Sequence, residues 1–146
     1  MTKSRDFFTL EQQQELKTAI QLAEKNTSGE IRLHIDTSRP KEVFPRAFEV
    51  FNTLEISKTE LKNGVLFYLS LESREFAVIG DAGINNLVPD DFWDDVRDLV
   101  ISHFKKEEFV KGLIGGIKLC SFKLKEFFPY QREDVNELTD ELSFGD

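Results

Sequence analysis

Residues 64–71 read GVLFYLSL and carry no charged side chain. A segment that is apolar on both alternating faces is typical of a central strand covered by helices on both sides. The similarly apolar segment EFAVIG, residues 75–80, follows after a short turn, so the two strands must be antiparallel neighbours. The sequence therefore predicts a buried hairpin at the centre of a layered fold.

The segments before this hairpin have the periodicity of a helix and of a further strand. Residues 9–26 begin with the capping-box pair Thr9 and Gln12 and continue with an apolar stripe, which predicts the first helix. Residues 30–36, EIRLHID, alternate between apolar and polar side chains and predict a strand with one wetter face. The side chains on that face are those of Arg32, His34 and Asp36.

The remaining apolar patterns predict three more helices and complete the fold. They cover about residues 45–54, 89–104 and 107–128, and prolines mark the first two starts and the last end. The order of helix, strand, helix, strand, strand, helix and helix predicts an α/β fold, a three-layer α/β/α sandwich with a small mixed central sheet. We expect one domain over residues 1–129 and an acidic, mobile tail over residues 130–146.

Composition excludes several classes of partner. The chain has 27 acidic and 19 basic residues and a formal net charge of −8, with its lysines scattered among glutamates, so we expect no nucleic acid partner. No stretch approaches the ~20 apolar residues that a membrane helix needs, and the start lacks the apolar run of a signal peptide. We therefore expect no membrane partner and a cytoplasmic location. The single cysteine, Cys120, excludes an intramolecular disulfide and a cysteine-based metal site.

The topology is expected to bring three distant parts of the chain to one end of the sheet. A helical crossover makes the first two strands parallel, and the hairpin returns the third strand in the opposite direction. The starts of the first two strands and the end of the third strand therefore meet. Oxygen-bearing side chains that could line a cleft there are those of Glu24, Glu30, Asn63, Asp81 and Asp91. Gly64, Gly80 and Gly83 would border the cleft through their backbone.

The region after the hairpin is acidic enough to attract a cation. Residues 81–98 include six aspartates and one arginine, and carboxylate and carbonyl oxygens are the ligands that Ca²⁺ and Mg²⁺ prefer. Structural explanations fit the same residues. The pair Asn63 and Gly64 is typical of a tight turn, and an aspartate such as Asp91 complements the dipole at a helix start. The glycines around Asp81 fit either a bound ligand or a tight turn.

Three segments carry a resemblance to a known family. TSGEIRLHI, FNTLEISKTELKNGVLFYLSLESREFAVIGDAGI and FKKEEFVKGLIGGI are similar to the TPM domain family, and the similarity extends to about Phe128. This family is best known from a thylakoid lumen protein of photosystem II repair, and the chain resembles its short, soluble bacterial branch. The resemblance implies an α/β/α sandwich whose acidic cleft holds a divalent cation in some members, with weak acid phosphatase activity. It points to Glu30, Asn63, Gly64 and Asp81.

The predicted function is the binding of a divalent cation, Ca²⁺ or Mg²⁺, in this cleft. Any hydrolysis of phosphate esters would be metal-assisted and slow, because the sequence offers no cysteine phosphatase loop, aspartyl-phosphate pair or P-loop. No catalytic residue is predicted. The alternative is a noncatalytic assembly or repair module that binds a protein partner and keeps the cation as a structural element.

Overall fold

The chain folds as the predicted α/β sandwich, with a four-stranded mixed sheet between two helical layers. The structure is a computed structural model that describes residues 4–37, 39–130 and 142–145. Its strands are β1 (Glu30–Asp36), β2 (Gly64–Ser70), β3 (Glu75–Gly80) and β4 (Leu142–Gly145). Its helices are α1 (Ser4–Phe7), α2 (Leu10–Ala23), α3 (Val43–Thr53), α4 (Ala82–Asn85), α5 (Asp94–Phe104) and α6 (Phe109–Leu124). None of the helices within these described ranges is both long and apolar enough to cross a membrane.

The strand order β3-β2-β1-β4 follows from how the chain connects the strands. β1 and β2 are parallel because α3 carries the chain back between them, and Glu30 pairs with Gly64 at the start of their register. β3 follows β2 through a short turn and is antiparallel to it. β4 pairs with β1 in the parallel direction. The apolar strand β2 is therefore central, and it is buried over its whole length, as predicted.

The two faces of the sheet pack against different helices. On one face, Ile31, Leu33 and Ile35 of β1 join a core with α2, α5 and α6. On the other face, β2 and β3 pack against α3. The register places Arg32 and His34 beside Leu66 and Tyr68 of β2, which belong to the core under α3. The polar positions of β1 therefore lie on the side of the sheet that α3 covers.

Local signals predict one helix start closely and another less well. Thr9 caps α2, since its Oγ1 accepts a hydrogen bond from the backbone N–H of Gln12 at 3.0 Å. The Gln12 side chain accepts in return from the backbone N–H of Thr9 at 3.0 Å, so the predicted capping box is confirmed. The predicted helix at 89–104 begins only at Asp94, because the chain forms turns over residues 90–93.

Two other features differ from the expectations. Residues 142–145 form β4 instead of a mobile tail, because backbone pairing with β1 and the buried side chain of Leu142 hold them in the sheet. Residues 131–141 and residue 146 of the expected tail lie outside the described residues. The face of β1 expected to be wet is buried at all three polar positions, Arg32, His34 and Asp36. Hydrogen bonds and ion pairs within the protein replace water there.

Candidate functional site

The three parts of the chain that were expected to converge do meet at the amino end of β1. The backbone N–H of Glu30 donates to the carbonyl of Asn63 at 3.3 Å, and that of Asp81 donates to the carbonyl of Gly64 at 3.0 Å. These bonds continue the pairing of β1 with β2, and of β2 with β3, just beyond the strands. Glu30, Asn63 and Asp81 therefore share one end of the sheet.

Arg32 supplies a positive charge to the two glutamates at this end. Its Nη1 donates to Oε2 of Glu24 at 3.0 Å, and its Nη2 lies 3.8 Å from Oε1 of Glu30. The Glu24 oxygen also accepts from the backbone N–H of Ile31 at 2.8 Å. Burial raises the pKa of Glu24 and outweighs the opposing effect of Arg32 and of these hydrogen bonds. Two of the predicted metal ligands are thus already paired with a cation that belongs to the chain.

Asn63 connects the loop before β2 to the turn before β1. Its Nδ2 donates to the carbonyl of Ser28 at 3.2 Å, and its backbone N–H donates to Oγ1 of Thr59 at the same distance. Asn63 is buried, so these bonds satisfy polar groups that water does not reach. The residue therefore has a structural role at this end of the sheet.

Asp81 has one carboxylate oxygen that the chain does not use. Its Oδ1 accepts from the backbone N–H of Ala82 at 2.7 Å and caps α4. Its Oδ2 is buried and has no hydrogen-bond partner among the described residues, and the same holds for Nε1 of Trp93. Asp81 is only 9% exposed. An unsatisfied buried polar atom costs about 1–3 kcal/mol, so a ligand for Oδ2 would stabilise the protein.

The three glycines predicted to border the cleft are packed against other parts of the chain. A Cβ on Gly64 would lie 2.5 Å from Cγ2 of Ile56, and a Cβ on Gly80 would lie 2.7 Å from Cζ2 of Trp93. At Gly83 the carbonyl oxygens of the loop before β2 occupy the corresponding space. Close packing within the protein is thus sufficient to account for glycine at all three positions.

The predicted carboxylates do not assemble into a cage. Asp91 is exposed in the turn before α5, where its carbonyl accepts from the backbone N–H of Asp94 at 3.1 Å. Within residues 4–37, 39–130 and 142–145, no group of three or more His, Cys, Asp and Glu side chains is arranged to hold a metal ion. The candidate site at the amino end of β1 therefore centres on one oxygen, Oδ2 of Asp81.

A second polar cluster lies at the carboxyl end of β1, around Asp36. Oδ2 of Asp36 accepts from the hydroxyl of Tyr68 at 2.6 Å and from Nε of Arg46 at 2.8 Å. Its Oδ1 lies 2.7 Å from Nε2 of His34. Burial acts to raise the pKa of Asp36, but the hydrogen bonds from His34, Arg46 and Tyr68 outweigh it and hold that pKa well below its usual range. Asp36 is therefore a stable buried anion.

β4 completes the Asp36 cluster from the C-terminal end of the chain. Oγ of Ser143 lies 2.7 Å from Nδ1 of His34, and a Cβ on Gly145 would lie only 2.2 Å from Oδ1 of Asp36. The sequence predicted the polar face of β1 but not this cluster, because Ser143 is 109 residues from His34. The sequence offered one signal for this cluster, the polar residues at alternate positions of β1. That strand pairs with a neighbour on both sides.

The mixed sheet, its two helical layers and the polar groups at both ends of β1 define a three-layer α/β/α domain. The chain belongs to the TPM domain family, since the sequence model of that family matches residues 1–121. The structure of BA42, a protein of the psychrophilic bacterium Bizionia argentinensis, is similar, with a TM-score of 0.91 and 42% sequence identity. The match covers 99% of this chain and 100% of BA42.

More distant structures share the fold. An N-terminal domain from P. gingivalis has a TM-score of 0.68 at 15% identity, over 86% of this chain and 82% of that one. The N-terminal domain of the cg2496 protein from Corynebacterium glutamicum has a TM-score of 0.65 at 10% identity, over 81% of this chain and 74% of that one. At such identities the similarity is evidence for the fold alone. No curated protein matches the chain.

Proposed function

We propose that the chain binds a divalent cation, Ca²⁺ or Mg²⁺, at the amino end of β1 through Oδ2 of Asp81. The observation that carries this proposal is the buried carboxylate oxygen without a partner. Hard cations take oxygen ligands, and a carboxylate oxygen is the strongest of those that proteins offer. Among the described residues at this end, carboxylates outnumber arginines, since Glu24 and Glu30 share Arg32, and this adds an attractive field.

The ion would keep much of its water shell. Glu24 and Glu30 are engaged with Arg32, and Asn63 is engaged with Ser28, so Asp81 supplies the main protein charge. Mg²⁺ usually retains several waters and takes one or two carboxylates, and Ca²⁺ sites of low ligand charge are weak. We expect dissociation constants on the order of 1 mM.

Weak hydrolysis of phosphate esters is a secondary part of the proposal. A cation at Asp81 would polarise a phosphoryl oxygen and orient a water molecule. Proton transfer to the leaving group would lack a histidine, because His34 lies beside Asp36 and His103 lies beside Glu108. We therefore expect slow turnover.

The binding test uses Trp93, the one tryptophan of the chain, as the reporter. Its ring lies against Gly80, the residue before Asp81. We expect a saturable change in Trp93 fluorescence when Ca²⁺ or Mg²⁺ is added, and backbone amide NMR shifts at residues 80–82. Asp81→Asn should abolish both changes, and because Asn is also a good N-cap the variant should remain folded.

Asp91→Asn is the matched control, since it removes one exposed carboxylate from the same region. This variant should titrate like the wild type. The proposal fails if the wild type gives no saturable change, or if Asp81→Asn binds as well as the wild type does. For catalysis, the magnesium-dependent hydrolysis of a chromogenic phosphate ester should disappear in Asp81→Asn and persist in Asp91→Asn.

A further inference from the structure

An exposed groove follows the outer surface of the protein between α2 and α6. It consists of two depressions of about 350 and 410 Å³, which share Ala19, Leu22 and Lys118 as lining residues. Leu22 is 53% exposed, and Phe122, at the edge of one depression, is 64% exposed. The groove thus exposes two large apolar side chains of neighbouring helices, which a partner seated in it would cover.

The groove carries opposite charges in its two halves. The half beside the start of α2 is lined by Glu11 and Glu15. The other half, beside the end of α6, is lined by Lys125, while Lys118 lines both depressions. These four side chains are exposed, and none of them is in an ion pair with another residue that the structure describes. An occupant would therefore need basic groups at one end and acidic groups at the other.

We propose that this groove is the interface of a symmetric homodimer. A second copy would be related to the first by a twofold axis perpendicular to the length of the groove. The lysine half of each copy then lies opposite the acidic half of the other copy. The same rotation sets the exposed Phe122 of each copy against the apolar floor of the other. Twofold dimers with self-complementary patches are the most frequent soluble oligomers. The charge pattern is thus self-complementary, and this is the observation that favours a second copy of this chain as the occupant.

The first test measures the mass of the full chain by sedimentation equilibrium over a range of concentrations. We expect a monomer and dimer equilibrium in the wild type and a monomer for Phe122→Ser, because twofold symmetry makes one substitution remove two contacts. The matched control is Leu87→Ser, which changes a leucine that is 56% exposed and lies between α4 and α5. This control should dimerise like the wild type. Circular dichroism should show that all variants are folded.

The second test exchanges charges between the two ends of the groove. Glu11 lines only one depression and Lys125 lines only the other. Glu11→Lys and Lys125→Glu should each weaken dimerisation by about tenfold, since each reverses two exposed charge pairs. The double variant should recover the wild-type dissociation constant, because the reversed charges face each other again across the interface.

Three results would each overturn the proposal. The wild type could remain monomeric at all concentrations up to about 1 mM. A dimer could form as strongly in Phe122→Ser as in the wild type. The double charge variant could also fail to dimerise better than either single variant.

Discussion

The buried charges at the two ends of β1 are balanced in opposite ways. At the carboxyl end, one carboxylate, Asp36, receives hydrogen bonds or close contacts from three side chains. At the amino end, one guanidinium, that of Arg32, serves the two carboxylates of Glu24 and Glu30. Three side chains thus share one carboxylate at the first end, and two carboxylates share one guanidinium at the second end.

This difference determines the direction of the pKa shifts. The pKa of Asp36 falls because its donors outweigh its burial, whereas the pKa of Glu24 rises because burial outweighs the single arginine that it shares. A buried cluster of charged residues is therefore not in itself a ligand site. The amino end, with unused acceptor capacity at Asp81, is the end that can attract a cation.

The largest effect on stability is expected from disrupting the Asp36 cluster at the carboxyl end of β1. Asp36→Ala would remove the carboxylate that buried Tyr68 and His34 contact, and among the described residues Arg46 would keep only its exposed partner Glu49. We expect a loss of about 3–5 kcal/mol in the free energy of unfolding, measured by urea denaturation. Asp91→Ala, at an exposed position, should stay within about 0.5 kcal/mol of the wild type. A loss below about 1 kcal/mol for Asp36→Ala would contradict the central role of this carboxylate.

Removing the Arg32 ion pairs at the amino end of β1 should lower the stability less. Arg32→Gln removes the guanidinium that Glu24 and Glu30 share, and protonation of Glu24 can relieve part of the resulting repulsion between the two carboxylates. We expect a loss of about 2–3 kcal/mol at pH 7, and a larger stabilisation of this variant than of the wild type by added Mg²⁺. Arg97→Gln, on the exposed surface of α5, is the control and should change the free energy of unfolding little. Equal responses of Arg32→Gln and wild type to Mg²⁺ would show that the released carboxylates do not attract cations.

A smaller effect is expected where β4 closes the Asp36 cluster. Gly145→Ala would place a methyl group 2.2 Å from Oδ1 of Asp36, so that the strand or the carboxylate must shift. We expect a loss of about 1–2 kcal/mol in the free energy of unfolding. Gly115→Ala in α6 is the matched control, because its Cβ would make only an ordinary contact with Leu99 at 3.4 Å. That control should stabilise α6 by up to about 1 kcal/mol. Loss of stability in the control alone would reverse this interpretation.

The smallest expected effect is a pH dependence of opposite sign at the two ends. The folded-state pKa of Asp36 is lowered, so its contribution to stability is present at neutral pH and is lost as the pH falls below about 4. The pKa of Glu24 is raised, so its contribution is present in acid and is lost as the pH rises through its folded-state pKa. Urea denaturation between pH 3 and pH 7 should therefore show a shallower loss in acid for Asp36→Asn and a steeper loss for Glu24→Gln. If the free energy of unfolding depended on pH in the same way in both variants, the proposed difference between the two ends of β1 would be wrong.

Much of the fold was predictable because its signals are local. The apolar run of β2, the alternation in β1 and the capping box at Thr9 each follow from neighbouring residues. β4 was missed because its four residues follow an acidic segment, and their place in the sheet depends on pairing with β1. The meeting of Glu30, Asn63 and Asp81 was predictable from topology. The starts of parallel strands lie at the same end of the sheet, and the antiparallel strand β3 finishes at that end.

The roles of the residues at this end were harder to predict. Arg32 lies within the same strand as Glu30, yet nothing in the sequence shows that its side chain extends towards Glu24. The Asp36 cluster combines residues of β1, β2, α3 and β4, so no short motif can reveal it. Both depend on side-chain directions and distances rather than on spacing.

The amino-acid order alone determines the layers, the hairpin and the end of the sheet at which acidic residues collect, because strand periodicity and crossover handedness act over short stretches. The tertiary structure decides which of these charges are neutralised. Hydrogen bonds and Coulomb interactions in a buried site depend on ångström distances between residues that are far apart in sequence. For that reason Arg32 is paired with Glu24, and Asp36 is paired with Arg46. Oδ2 of Asp81, in contrast, has no partner among the described residues.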